Sequence, residues 1–296
     1  MNILLTGGTG LIGRALCRRL LTEGHQLTVW SRRPAEVPSL CGAQVKGVAE
    51  LEQLDGQAFD AVVNLAGAPI ADKPWTAKRK AELWASRVSL TEQLVQWIGR
   101  QSEKPAVLVS GSAVGWYGDG GSADITEQSP PRSEYTHTLC DAWEAAAKRA
   151  NSYGVRLCIM RTGLVLATKD GFLDRLKLPF KLGLGGPIGG GEHYMPWVHL
   201  DDVVSLIVWM LQIPDCRGPY NATAPHPATN REFVRALGKA LHRPAFIPLP
   251  GFVLKLALGE MSRLLLTGQR ALPAKAEAEG FSFKYPHLDK ALAAVT

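Results

Sequence analysis

The stretch SEYTHTLCDAWEAAAK places Tyr135, His137, Cys140, Asp141 and Glu144 within ten residues, enough side-chain chemistry for proton transfer. On a helix, however, Tyr135 falls in line with Leu139, Trp143 and Ala147, spaced by fours, which is also the pattern of a core stripe. His137 and Asp141 stand at i, i+4 on another face and read first as a solvated contact. Cys140 lacks a flanking base. Ser112, in SGSAVGWYG, follows an apolar run and either hydrogen-bonds a substrate oxygen or caps a turn, with Tyr117 on the loop beyond it. His193, Tyr194 and Trp197 flank a glycine-rich segment, where they either line a pocket or simply pack. His199 reads as a structural histidine at a helix entry, with Asp201 and Asp202 as its N-cap and first-turn acid.

A second constellation binds rather than reacts. TGGTGLIG, from Thr6 to Gly13, sits between the apolar run NILLT and a helical period. Gly7 permits a tight turn, Gly10 lets the backbone approach a pyrophosphate, and Gly13 allows close helix–strand packing. The helix start at Leu11 and Ile12 then offers free N–H groups to negative charge. Strand, glycines and helix in this order mark a dinucleotide site. The next strand ends VWSRRP, with Ser31 where an NAD site carries an acid. Arg32 and Arg33 suit a 2′-phosphate, so NADP is the expected cofactor. The bland alternative is a solvated turn with two surface arginines.

The elements that must hold these residues follow from periodicity. NILLT, QLTVWS, DAVVNLAG, AVLVSGS and VRLCIMRTGLVL read as strands, alternating with helical stretches that include LIGRALCRRLLTEG and TAKRKAELWASRVSLTEQLVQWIG. Such alternation predicts an α/β fold with a doubly wound parallel sheet covered on both faces. After LKLPFKLGLGGPIGGGEHYMPW the pattern becomes irregular, predicting a smaller C-terminal substrate cap. The expected division is a cofactor-binding core over 1–168 and a cap over 169–296, with 195–225 returning to the core. The long helix from Thr76 to Gly99 could support a homo-oligomer or lie on the sheet.

Bulk properties narrow the function classes. The chain has 296 residues, 46% hydrophobic and 20% charged, an ordinary globular balance. Its net charge of +6 suits an anionic ligand, but the basic residues are not gathered among aromatics, so nucleic acid is not an expected partner. No apolar run is long enough to span a bilayer, so no membrane partner is expected either. MNILLTGGTG shows no basic leader, making cytoplasmic residence the expectation. Five scattered cysteines read as free thiols, and the histidines show no paired ligand spacing, so no metal is expected.

Several of these segments resemble the extended, epimerase-like branch of the short-chain dehydrogenase/reductase superfamily. TGGTGLIG matches its T-G-x-x-G-x-x-G. NLAG (Asn64 to Gly67) matches the segment that lies along the cofactor. SGSAVGWYG is similar to its S-S-x-x-V-Y-G and puts Ser112 at the serine position, and PWVHLDDVV is similar to V-H-V-x-D-V. WASRVSLT, LPFKLGLGGPIGGG, AFIPLP and GQRALPAKAEAEGF further resemble the atypical, YfcH-related subgroup of NAD(P)-dependent epimerase/dehydratase family proteins. The resemblance implies a Rossmann core and NADP. By position it implies that Ser31, Arg32, Leu65, Ala66, Gly67, Glu82, Arg87 and Arg161 lie near that cofactor.

Members of the superfamily normally pair the tyrosine with a lysine one turn later, which lowers the tyrosine pKa and holds the ribose. Here Leu139 stands four residues after Tyr135, and a shift of register gives only Thr136 and Cys140. Without the lysine, Tyr135 is expected to keep a pKa of about 10. The combined reading is an NADP-dependent oxidoreductase or epimerase acting on a small polar, nucleotide-sugar-like molecule. In it, Ser112 orients the substrate oxygen and Tyr135 or water supplies the proton. The alternative is an NADP(H)-binding sensor or partner-binding protein with little turnover.

Overall fold

A computed structural model describes residues 1–296. Ile3 and Leu5 point to one face of the first strand and Leu4 to the other, as the twofold repeat of a strand requires, and all three are fully buried. Burial on both faces makes NILLT a continuous apolar run and places it at the centre of a parallel sheet. The seven strands lie in the spatial order Lys46–Val48, Gln26–Trp30, Asn2–Thr6, Ala61–Asn64, Val107–Ala113, Arg156–Thr162, Gly218–Ala222, every neighbouring pair parallel. Chain order reverses between Asn2–Thr6 and Ala61–Asn64, so a crevice opens where these two strands end.

One face of the sheet is covered by the helices Leu11–Thr22 and Leu200–Gln212, packed on Ile3, Leu5 and Val63. The other carries Leu90–Arg100, packed on Leu4, Val62 and Leu108. A smaller apolar cluster built on Phe180, Trp197, Phe233 and Leu292 forms the centre of the C-terminal part. No helix is long and apolar enough to cross a membrane.

Three elements depart from the sequence-based expectation. The helix from Thr76 to Gly99 is not uniform: Ala77–Trp84 and Leu90–Arg100 are joined by a π-helical turn, Ala85–Ser89. Widened turns of this kind re-aim side chains, and this one holds Arg87. VRLCIMRTGLVL is two strands, Arg156–Thr162 and Leu164–Leu166. The break falls at Gly163, where a Cβ would sit 2.0 Å from the Pro196 carbonyl oxygen. The helix at Leu200 is capped by His199 rather than by an aspartate. The Asp201 N–H donates to His199 Nδ1 at 3.1 Å, and both acids lie in the first turn. Asp202 accepts instead from the backbone N–H groups of Lys284 and Tyr285, at 2.7 and 3.0 Å, and so anchors the C-terminal segment.

Candidate functional site

The glycine loop is shaped by contacts that exclude side chains. Gly7 has φ +67°, and a Cβ on it would lie 2.5 Å from the Leu65 carbonyl oxygen. A Cβ on Gly13 would lie 2.2 Å from the Gly7 carbonyl oxygen, so the helix packs directly on the turn. Gly10 caps the helix with no side-chain acceptor, which leaves the first N–H groups, from Leu11 on, directed outward. Thr6 braces the loop from below. Its hydroxyl donates to Asn64 Oδ1 at 2.6 Å and accepts from the Ala66 N–H at 3.1 Å. Asn64 in turn donates to Thr91, which also accepts from the Trp143 indole. This cradle fits the pyrophosphate of a dinucleotide, because backbone donors and an unopposed helix terminus converge where no Cβ intrudes.

At the end of the strand Gln26–Trp30 the two arginines differ. Arg33 pairs with Glu36 at 3.0 Å, and its N–H donates to the Ser31 hydroxyl at 3.1 Å. Arg32 is exposed and has no such partner. It lies close enough to Glu82 to act on it. The Arg79 guanidinium, 2.6 Å away, holds the Glu82 carboxyl below the usual range, and Lys73 and Arg32 add to the effect.

Further along the crevice the π-helical turn turns Arg87 onto the backbone. Its guanidinium donates to the Ala68 carbonyl at 2.9 Å and closes over Gly67, where a Cβ would be 3.1 Å from its central carbon. Burial lowers the Arg87 pKa. Leu65, Ala66, Gly67 and Arg87 therefore form one continuous wall leading away from the glycine loop.

Ser112 and Arg161 meet at a residue that the sequence did not single out for this role. Register pairs Ser112 with Arg161 on adjacent strands, and Glu144 of the helix Tyr135–Lys148 reaches both. Ser112 Oγ donates to Glu144 Oε1 at 2.8 Å, while Arg161 donates through two nitrogens to the two carboxylate oxygens at 2.8 and 2.9 Å. Arg161 is the penultimate residue of its strand. Its remaining nitrogen donates to the Tyr117 hydroxyl, which donates to Asn221 at 2.7 Å. Glu144 and Arg161 are 1% and 3% exposed, so this is an interior network. A lone acid among alanines, one turn after Cys140, was the only signal for it.

Tyr135 stands apart from Ser112's network. It packs edge-on against Trp75 at 4.9 Å, and Lys80 Nζ lies 4.4 Å from its ring centre. Its hydroxyl is buried with no hydrogen-bond partner, and burial raises its pKa. Lys80 itself is paired with Glu260 at 2.6 Å. Leu139, Trp143 and Ala147 are buried in the core below. His137 Nδ1 donates to the Trp116 carbonyl, 2.7 Å away, rather than meeting Asp141. Burial pushes the Cys140 thiol up to about 12.

A cavity of about 310 Å³ lies over the C-terminal edge of the sheet. Ala113, Val114 and Thr162 form its floor, Tyr135 and Thr136 one side, and the C-terminal part its roof. His193 and Tyr194 line it; Trp197 does not, and is buried in the smaller cluster.

Residues 3–222 match the NAD dependent epimerase/dehydratase family, and residues 249–295 match a domain of unknown function, DUF1731. The chain belongs to the NAD dependent epimerase/dehydratase family. It is 38% identical to the chloroplastic epimerase family protein SDR39U1 homolog of Arabidopsis thaliana, over 100% of this chain and 86% of that protein. It is 36% identical to human epimerase family protein SDR39U1, over 99% and 98%. The crystal structure of that human protein (isoform 2) with NADPH superposes with a TM-score of 0.90 at 34% identity, covering 100% of this chain and 99% of that one. A UDP-glucuronic acid 4-epimerase from Bacillus cereus shares the fold, with a TM-score of 0.81 at 18% identity, over 100% and 98% of the two chains.

Proposed function

We propose that this chain is an NADP-dependent oxidoreductase or epimerase acting on a small molecule held between the sheet edge and the C-terminal cap. The cradle carries the proposal: Gly7 and Gly13 stand where a side chain would strike backbone, in front of an uncapped helix terminus. Thr6, Gly7, Gly10, Leu11, Ile12 and Gly13 would hold the pyrophosphate. Ser31 and Arg32 would take the 2′-phosphorylated ribose, with Arg33 shared with Glu36 and Glu82 held nearby by Arg79. Leu65, Ala66, Gly67 and Arg87 would line the way to the substrate, and Arg161 would act from behind through Glu144. The NADPH bound by the human relative supports this cofactor. When bound, the dinucleotide supplies or accepts hydride.

The chain's own residues divide the remaining work. The Tyr135 hydroxyl, without a partner at the cavity wall, would exchange the proton of the substrate oxygen. Ser112 spends its hydrogen on Glu144, so it is left with lone pairs that can position a donor. Calorimetric titration with NADPH and NADH side by side tests the first half of the reading. A strong preference for NADPH that Arg32→Ala abolishes is the expected result; equal or absent binding would overturn it.

A second reading, an NADP(H)-binding sensor with little turnover, draws on one observation. Leu139, buried in the core, occupies the turn after Tyr135 where an activating cation would stand. Oxidation of bound NADPH by carbonyl compounds, slowed by Tyr135→Phe, would exclude it. No oxidation by any carbonyl would favour it.

A further inference from the structure

Nineteen of the thirty-five residues lining the cavity over the sheet edge are hydrophobic, and its charged groups cancel one another. Arg263 is the only lysine or arginine in the lining, and it is bound to Glu134. Glu260 is held by Lys80. His193 is pushed toward its neutral form by burial. A diphosphate entering here would bring two negative charges to a wall whose two carboxylates, Glu134 and Glu260, already occupy Arg263 and Lys80, leaving it no unpaired cation. Buried charges of one sign without partners are strongly disfavoured.

Several of the uncharged polar groups are committed as well. Asn230 accepts from the Ile188 N–H at 2.8 Å and donates to the Met195 sulfur. Gln269 donates to the Gly118 carbonyl, and the Thr267 hydroxyl donates to the Arg263 carbonyl. Among the lining groups without a hydrogen bond, the Thr136 and Tyr194 hydroxyls and the His193 ring are half-buried, and the Tyr135 hydroxyl is the one that is buried. The mouth is apolar too. Leu184, Ile247 and Leu249 belong to the lining and are 59%, 39% and 39% exposed, and Phe246 beside them is 73% exposed.

From this arrangement we infer that the cavity takes an uncharged ligand with a mainly apolar body and one oxygen function directed at Tyr135, such as an alcohol or ketone on a hydrocarbon frame, rather than a nucleotide sugar. The inference rests on the oxidoreductase reading only in calling that ligand a substrate; the binding itself does not depend on it. The volume, at the small end of the ~300–1,000 Å³ of ligand pockets, suits a compact molecule. Apolar walls supply affinity by removing hydrocarbon from water, and the buried Tyr135 hydroxyl fixes orientation.

Nile red, a neutral probe that brightens in apolar surroundings, tests this with and without NADP+. The probe is expected to bind, to be displaced by 2-decanone, and to resist displacement by UDP-glucose. Leu184→Glu, at an exposed position that leaves folding intact, should weaken the probe at least about tenfold by placing a charge in the mouth. NADP+ affinity should be unchanged in that variant. Tyr135→Phe should leave the probe unaffected and weaken 2-decanone roughly five- to tenfold, the worth of one hydrogen bond. Displacement by UDP-glucose but not by 2-decanone, or undiminished probe binding in Leu184→Glu, would overturn the inference. Loss of NADP+ binding with ketone binding intact would instead strike the cofactor reading.

Discussion

Ser112 and Glu144, on a strand and a helix that cross near the C-terminal edge of the sheet, are joined by a 2.8 Å hydrogen bond, with Arg161 on the same carboxylate. The hydroxyl at the serine position of the resemblance is therefore engaged inside the protein. The carboxylate is what keeps Arg161, 3% exposed, from being an uncompensated buried charge.

Removing that carboxylate should be far more damaging than removing the hydroxyl. Glu144→Ala is expected to destabilise the fold by about 3–5 kcal/mol, the range for breaking a buried ion pair. Ser112→Ala should cost about 1.5–3 kcal/mol, as one hydrogen bond to a charged group. Urea unfolding midpoints of the two variants check the order; equal losses would mean that Arg161 finds other partners.

The unequal arginines at the end of the second strand make a prediction about affinity. Arg33→Ala should weaken NADPH less than Arg32→Ala does, since Glu36 already engages Arg33. Loss of Arg32 should cost roughly tenfold to a hundredfold, as one charge-assisted contact. Glu36→Ala releases the Arg33 guanidinium and should tighten NADPH while leaving NADH unchanged. Calorimetry with both nucleotides reads all three outcomes.

His199 ties stability to pH. Burial sets its folded pKa below the ordinary 6.5, against a smaller opposing pull from Asp201. On acidification the unfolded chain therefore takes up this proton first. The contribution is complete above pH 6.5 and is lost as pH falls through the depressed folded value. His193 is depressed in the same direction. His199→Asn keeps a capping acceptor for the Asp201 N–H but removes the titration. Its melting temperature should fall less steeply below pH 6.5 than that of the parent, and parallel curves would refute the assignment.

All five cysteines are buried, and burial pushes Cys140 up to about 12 and Cys158 up to about 11. Because the thiolate is the reactive form, Ellman's reagent should find no fast-reacting thiol in the native protein and five after denaturation. A fast native thiol would point to local opening near that residue.

Much of the core was legible because its signals are local. The five strands named from sequence are apolar runs buried on both faces, and TGGTGLIG lies where a strand must turn into a helix. Lys46–Val48 and Gly218–Ala222 escaped notice for the converse reason. KGV has three residues and GPYNA has neither alternation nor β-branching, and each is a strand because a sheet edge is there to receive it. The π-helical turn at Ala85–Ser89 was likewise hidden inside an unbroken helical period.

The residues of the chemistry divide along the same line. By itself the sequence determined the phosphate cradle, the absence of a lysine one turn after Tyr135, and the family the chain resembles, since each is set by neighbours within a few positions. Only the tertiary structure decided that Glu144 holds Ser112 and Arg161, that Lys80 lies over Tyr135, and that charges cancel around the cavity. Those pairings join residues 17 to 180 positions apart. Side chains so distant meet only when the sheet has set its register and the C-terminal part has packed over it, and no local periodicity records where they will meet.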